Sequence, residues 1–159
     1  GRGLRFQNGP DEVSYDLFYG PESPTVVYLP AFDSPKNDLK ATIIERLCST
    51  MGRTYLSADW YGVGRSTGDF SKGTVTRWAE DTIKLIEAVA PTKKCVLVGG
   101  GVGGWVSVLV ALRRPDLVCG LVGLAADPDF TESLLWKYLP EEKKAEIMEK
   151  GTSNVTWGK

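Results

Sequence analysis

The sequence predicts a three-layer α/β domain built on a mostly parallel sheet that begins with an N-terminal hairpin. Three observations predict it. Apolar runs of strand length alternate with segments of helical period, the pattern of parallel strands buried on both faces and linked by crossover helices. Two strand-like runs at the start, Gly3 to Gln7 and Val13 to Tyr19, flank the turn signal Asn8-Gly9-Pro10-Asp11-Glu12. The chain has 159 residues, 42% apolar and 25% charged, which suits one folded core rather than two.

The elements follow in order. Gly20-Pro21-Glu22-Ser23-Pro24 closes the hairpin, and Thr25 to Leu29 (TVVYL) reads as a buried strand ended by Pro30. Asp33 to Lys40 is a polar loop or helix entry. Ala41 to Met51 then carries helical spacing through Ile43, Ile44, Leu47 and Cys48. Arg53 to Trp60 is a strand, and Tyr61 to Gly73 a glycine-punctuated loop. Thr74 to Ala90 is the clearest helix, with Val75, Trp78, Ile83, Ile86 and Val89 on one face and Glu80, Asp81, Lys84 and Glu87 on the other. Pro91 stops it. KCVLVGG is the next strand, Val102 to Leu112 the next helix, and Arg113-Arg114-Pro115-Asp116 the break after it. Leu117 to Ala126 is a further buried strand, Asp127-Pro128-Asp129 opens a helix or turn, and Glu141 to Lys150 is a short charged helix. Residues 1–24 therefore form the hairpin, 25–126 the core, and 127–159 a C-terminal helical segment of one domain.

Composition narrows the chemistry. With 19 basic and 20 acidic residues the net charge is −1, so no global field draws the chain to nucleic acid or an anionic membrane. No stretch has the length of a membrane span. The Gly1-Arg2-Gly3 start has neither initiator Met nor a signal-peptide core, which suggests a chain that begins after a processed segment. Cys48, Cys95 and Cys119 lie far apart in apolar contexts and read as buried reduced thiols. There are no histidines. These residues therefore offer no Ser-His or Cys-His pair and no imidazole metal ligand, and neither cofactor nor metal is expected.

One stretch, VLVGGGVGGW from Val96 to Trp105, fits two motifs. Gly99, Gly101 and Gly104 satisfy the G-x-G-x-x-G phosphate fingerprint, with Asp127 where a ribose-binding acid would stand. That fingerprint normally follows the first strand of its domain, whereas several strands precede it here. Gly99, Gly101 and Gly103 also satisfy the G-x-S-x-G nucleophile elbow, with glycine in place of serine.

The rest of the chain favours the elbow. DWYGVGRSTGDF, from Asp59 to Phe70, resembles the Asp-x-x-Gly-x-Gly-x-Ser loop of α/β-hydrolases. GGWVSVLVALRRPDLVCGLVGLAA resembles the helix after the elbow and the strand that follows, and VVYLPAF resembles the earlier strand and oxyanion loop, with Ala31 where that family has glycine. From Thr25 to about Gly151 the chain is similar to the α/β-hydrolase fold, and within it to the mitochondrial palmitoyl-protein thioesterase (acyl-glucuronide esterase) branch.

That resemblance places the nucleophile at Gly101, which has no side chain to form an acyl-enzyme. It places the oxyanion donors at the N–H groups of Val102 and of Ala31 or Phe32, a vestigial pocket for an acyl or carboxylate group. The family's acid and histidine come late in its chain order, and its last strands are expected to be missing here. The resemblance therefore implies a hydrolase-like protein that is not an enzyme, serving as an accessory subunit of a larger, mitochondrial assembly. Other subunits would cover the sheet edge at Leu117 to Ala126. An esterase fragment altered at its nucleophile, an acyl-binding module and, last, dinucleotide binding are the alternatives. Ser66 and Ser107 lack an imidazole partner and read as structural, Asp127 and Asp129 as helix-entry residues, and Glu141-Glu142-Lys143-Lys144 as a solvated face. Trp136 and Trp157, where the family carries a mobile lid, are candidate interface anchors.

Overall fold

A Gly9-Pro10 turn joins the first two strands, β1 (Leu4–Asn8) and β2 (Asp11–Phe18), which pair antiparallel with Asn8 opposite Asp11. The computed structural model describes residues 1–31, 36, 38–91 and 94–123. After the hairpin come β3 (Glu22–Leu29), α1 (Leu39–Met51), β4 (Arg53–Ala58), a 3₁₀ turn at Phe70–Lys72 and α2 (Val75–Val89). Then follow β5 (Cys95–Gly99), α3 (Val102–Arg113) and β6 (Val118–Gly123). The strands form one sheet in the order β1-β2-β4-β3-β5-β6. The pairs β3–β4, β3–β5 and β5–β6 are parallel, and the hairpin joins through an antiparallel β2–β4 contact.

Side-chain alternation along the central strands makes the layers. Val27, Leu29, Leu56 and Leu97 face α2 and α3 and share a core with Trp78, Ile86 and Val106. Their neighbours Val26, Tyr28, Tyr55 and Val98 face the opposite way, where α1 covers them with Ala41 and Cys48. Both longer connections begin with a cap that satisfies an otherwise unpaired helix N–H. Asp38 Oδ1 accepts from Ala41 N at 2.8 Å, and Thr74 Oγ1 accepts from Arg77 N at 3.0 Å. Gly52, with φ 69°, ends α1 and turns the chain into β4.

Three expectations are corrected. Asp81 does not lie on a solvated face: it is buried, held by Arg77 Nε at 3.0 Å and Asn8 Nδ2 at 2.7 Å. In α1 the spacing identified a helix but not its buried stripe, since Ile43 and Leu47 are exposed and Ala41, Ile44 and Cys48 face the sheet. Cys119 is exposed, unlike Cys48 and Cys95: it is the β6 residue skipped where the register with β5 shifts between Val118 and Gly120. Among the described residues β6 pairs only with β5, and no helix is long and apolar enough to cross a membrane. The expected residues 124–126 of this strand, and the segment 127–159, lie outside the described residues.

Candidate active site

Chain direction creates a crevice before any side chain is considered. From β3 the chain crosses by α1 to β4 on one face, and from β5 it crosses by α3 to β6 on the other, the face that α2 also covers. The connections after β3 and β5 thus diverge to opposite faces, and open α/β sheets bind ligands at such a point, beyond the C-terminal ends of the strands. Ala31 follows β3 and Gly101 follows β5. Among the described residues a Cβ at position 101 would meet only the Ala31 methyl, at 3.5 Å. Ala31 thus lies beside Gly101, with Val102 next in the chain, and Phe32 lies outside the described residues.

The turn has the geometry of an elbow. Gly101 sits at φ 55° and ψ −126°, a conformation that costs a residue with a Cβ about 1–3 kcal/mol and glycine little. Gly103 is required for a different reason: a Cβ there would lie 2.0 Å from the Leu29 carbonyl oxygen, because α3 docks on the end of β3. The first-turn N–H groups are mostly engaged, with Gly103 N donating to Gly100 O at 2.9 Å and Gly104 N to Gly101 O at 3.1 Å. Val102 N–H, the first of α3, donates to no described group. A pyrophosphate cradle needs several free N–H groups at this turn. The glycines instead serve a tight strand-to-helix reversal in which the N–H groups of Gly100, Gly103 and Gly104 are already bonded and those of Gly101 and Val102 have no described acceptor, which counts against the dinucleotide alternative.

Carboxylates organise the surrounding loops. Asp59, buried at the end of β4, accepts from Lys36 N at 2.9 Å and from Arg65 N at 3.1 Å, linking the segment after β3 to the Tyr61–Gly73 loop. Trp60 Nε1 donates to Pro30 O at 2.9 Å, and its ring lies 5.8 Å from that of Trp78. The Lys36 ammonium is buried 3.1 Å from Asp16 Oδ1 on β2. Sequence reasoning missed Lys36 and Asp16 altogether, and quoted Asp59 without a role. Only the Asp-x-x-Gly-x-Gly-x-Ser spacing carried a signal, and it touched Asp59 alone.

The two serines are structural. Ser66 Oγ donates to Asp59 O at 2.7 Å and accepts from Ser14 N at 2.9 Å, while Ser107 Oγ donates to Gly103 O at 2.8 Å inside α3. Burial pushes the Cys48 thiol up to about 11 and the Cys95 thiol up to about 12, which removes both as nucleophiles near neutral pH. Burial also raises the Tyr28 phenol, helped by the Asp38 carboxylate that its hydroxyl bonds at 3.0 Å. Among the described residues no group of three or more His, Cys, Asp or Glu is placed to hold a metal ion. Asp127, Asp129, Trp136, Trp157 and the Glu141–Lys144 run lie outside the described residues.

The chain is 35% identical over 150 residues to the bovine protein named palmitoyl-protein thioesterase ABHD10, mitochondrial, covering 93% of this chain and 48% of that one. The human protein of the same name is 34% identical over 152 residues. A Xenopus laevis sn-1-specific diacylglycerol lipase ABHD11 is 31% identical over 118 residues, 74% of this chain and 37% of its own length. The solved structure of mouse alpha/beta hydrolase domain-containing protein 10 superposes with a TM-score of 0.74 at 29% identity, covering 93% of this chain and 58% of that one. No protein-family profile matches. The chain spans about half the length of the curated thioesterase relatives it matches.

These relatives correct the expectation of a protein that is not an enzyme, because they carry the names of hydrolases. The error lay in reading too much from two missing side-chain types. A glycine at the elbow and the lack of histidine in 159 residues exclude an acyl-enzyme on residue 101 and an imidazole base from these residues. They do not exclude hydrolysis.

Proposed function

The chain belongs to the α/β-hydrolase family, and on that premise we propose that its site takes acyl esters or thioesters, with the acyl carbonyl oxygen held by Val102 N–H. The observation that carries the reading is the Val102 N–H, which bonds no described group and lies at the positive end of α3, directly after the elbow residue. The thioester class rests on the names of the relatives. Residue 101 offers no side chain, so the proposed reaction is direct attack by water. The water oxygen bonds to the acyl carbon, and the carbonyl π pair moves onto oxygen, where Val102 N–H holds the oxyanion. Collapse restores the carbonyl and expels the alkoxide or thiolate, which takes up the proton released by the water. Oxyanion stabilisation and binding alone sustain about 10³–10⁴-fold acceleration in proteases stripped of their triads, and this sets the expected scale.

Val102→Pro tests the reading directly. Val102 is the first residue of α3, where proline is tolerated, so the donor is removed with the helix intact. Hydrolysis of p-nitrophenyl butyrate and of a palmitoyl thioester is expected above buffer for the parent and at the buffer rate for the variant. Equal rates for parent and variant would sink the proposal.

A second reading concerns the sheet. Among the described residues the outer edge of β6 is unpaired, which favours a partner protein strand along Val118–Gly123. Light scattering of the purified chain would show a single-chain mass if that reading is wrong. A mitochondrial location is proposed from the names of the relatives and is tested by fractionation.

A further inference from the structure

We propose that Lys36 is a positioning residue, whose buried ion pair with Asp16 fixes how the segment after β3 presents Ala31 to Gly101. Lys36 is bound twice, through groups on opposite ends of the residue. Its N–H donates to Asp59 Oδ1 at 2.9 Å, and its ammonium reaches Asp16 Oδ1 at 3.1 Å. The two carboxylates come from different strands, Asp59 just beyond β4 and Asp16 on β2. The pair is withdrawn from water, with side-chain exposures of 8% for Lys36 and 1% for Asp16, and Asp16 also accepts from Gly3 N at 2.9 Å.

The segment is pinned on either side of Lys36 as well. Pro30 O is bonded by Trp60 Nε1, and Asp38, the cap of α1, is bonded by the Tyr28 hydroxyl. Ala31 lies one residue past the first pin and in contact range of the elbow. The neutral partner groups at Pro30 and Asp38 set where the segment leaves β3 and enters α1. Among the described residues of the segment, Lys36 is the one tied to the hairpin side of the sheet. A buried ion pair adds little net stability over apolar groups of similar volume, so its effect here is directional: it sets where the segment lies. A carbonyl site with one donor on α3 and its wall at Ala31 depends on that distance, and displacements near 1 Å cost about 100-fold in well-oriented sites.

The proposal rests on the carbonyl-binding reading only for its effect on ligand, and the test separates the two. The nuclear Overhauser effect between the Ala31 methyl and the Gly101 Hα reports the distance without any ligand, and decanoate titrated against the Val102 amide signal reports the site. In Asp16→Leu/Lys36→Met both charges are gone, so no buried charge is left unpaired. This variant is expected to melt like the parent yet show a weakened Ala31–Gly101 effect and about tenfold weaker decanoate binding. Lys36→Arg, which keeps the pair, is expected to retain both. A double variant with the parent's Ala31–Gly101 effect overturns the proposal, because the pair then only stabilises. A double variant that does not fold overturns it too, since the pair is then a condition of folding. Failure of decanoate to bind even the parent counts against the carbonyl reading, while the methyl–Hα effect still decides the role of Lys36.

Discussion

Replacing Gly103 with alanine should open the seam between α3 and β3, and the size of the effect follows from the backbone. The added Cβ would lie 2.0 Å from Leu29 O, 2.7 Å from Leu29 C and 2.8 Å from Pro30 O. The first of these falls roughly 1.4 Å short of ordinary contact, and the obstacle is backbone in a central strand rather than a side chain that can rotate. Relief requires α3 to lift at its N-terminus. Overpacking of this kind costs about 1–3 kcal/mol, and the rigid wall places it at the upper end. Alanine recovers about 1 kcal/mol over glycine in a helix, so a net loss of about 2 kcal/mol is expected. For a chain of this size that lowers the melting temperature by about 4–8 °C. Gly101→Ala is the control: among the described residues its Cβ meets only the Ala31 methyl, at 3.5 Å, so it carries conformational strain with no clash against them. Urea unfolding followed by circular dichroism gives both values, and the Val102 amide signal reports whether the helix has lifted. A Gly103→Ala protein as stable as the parent, with an unmoved Val102 signal, would refute the close docking of α3 on β3.

Other outcomes are expected from the same geometry. Lys36→Met should destabilise by less than the cost of about 3–5 kcal/mol for a wholly unpaired buried charge, because Arg2 Nη1 stays 3.5 Å from Asp16 Oδ2, and adding Asp16→Leu should restore most of the loss in the same unfolding assay. Brief alkylation of the native chain near neutral pH should modify Cys119 alone, and denaturant should release Cys48 and Cys95; intact mass distinguishes one adduct from three. The Asp81 carboxyl is raised above its ordinary 3.8, chiefly by burial and against the pull of Arg77. The folded state therefore binds this proton more tightly than the unfolded chain does. Its contribution to stability is present below 3.8 and is lost as pH rises through the elevated value. Comparing Asp81→Asn with the parent by urea unfolding at several pH values, the parent should gain on the variant as the solution is acidified. A gap that does not change with pH would contradict the shift.

Much of the architecture was legible because it depends on short-range pattern. The alternation of apolar runs and helical segments marked the strands and helices, and the Gly-Pro turn marked the hairpin. The elbow was legible because close approach and a positive φ both demand glycine at fixed spacing, so Gly101 and Gly103 left a record in the letters themselves. What escaped was decided by distant partners. Asp81 looks like one more charge on an amphipathic helix until the hairpin, 73 positions away in sequence, lays Asn8 beside it. Lys36 sits in a polar stretch with nothing local to mark it, and its carboxylate comes from a strand that joins the sheet on the far side of β4. The buried stripe of α1 was missed because Leu39, Ile43 and Leu47 recur at helical spacing as regularly as the residues that face the sheet. In the site, the backbone was readable and the ionic framework around it was not.

The Trp60 indole joins two things usually measured apart. Its N–H is bonded to Pro30 O, the residue before Ala31, and its ring is tilted 36° against Trp78 at 5.8 Å between centroids. Two indoles at that range share their electronic excitation, and the sign and strength of the shared transition follow their mutual angle. The protein thus carries its own optical goniometer: a small rotation at the mouth of the crevice turns one dipole against the other, and polarised ultraviolet light reads it without a label.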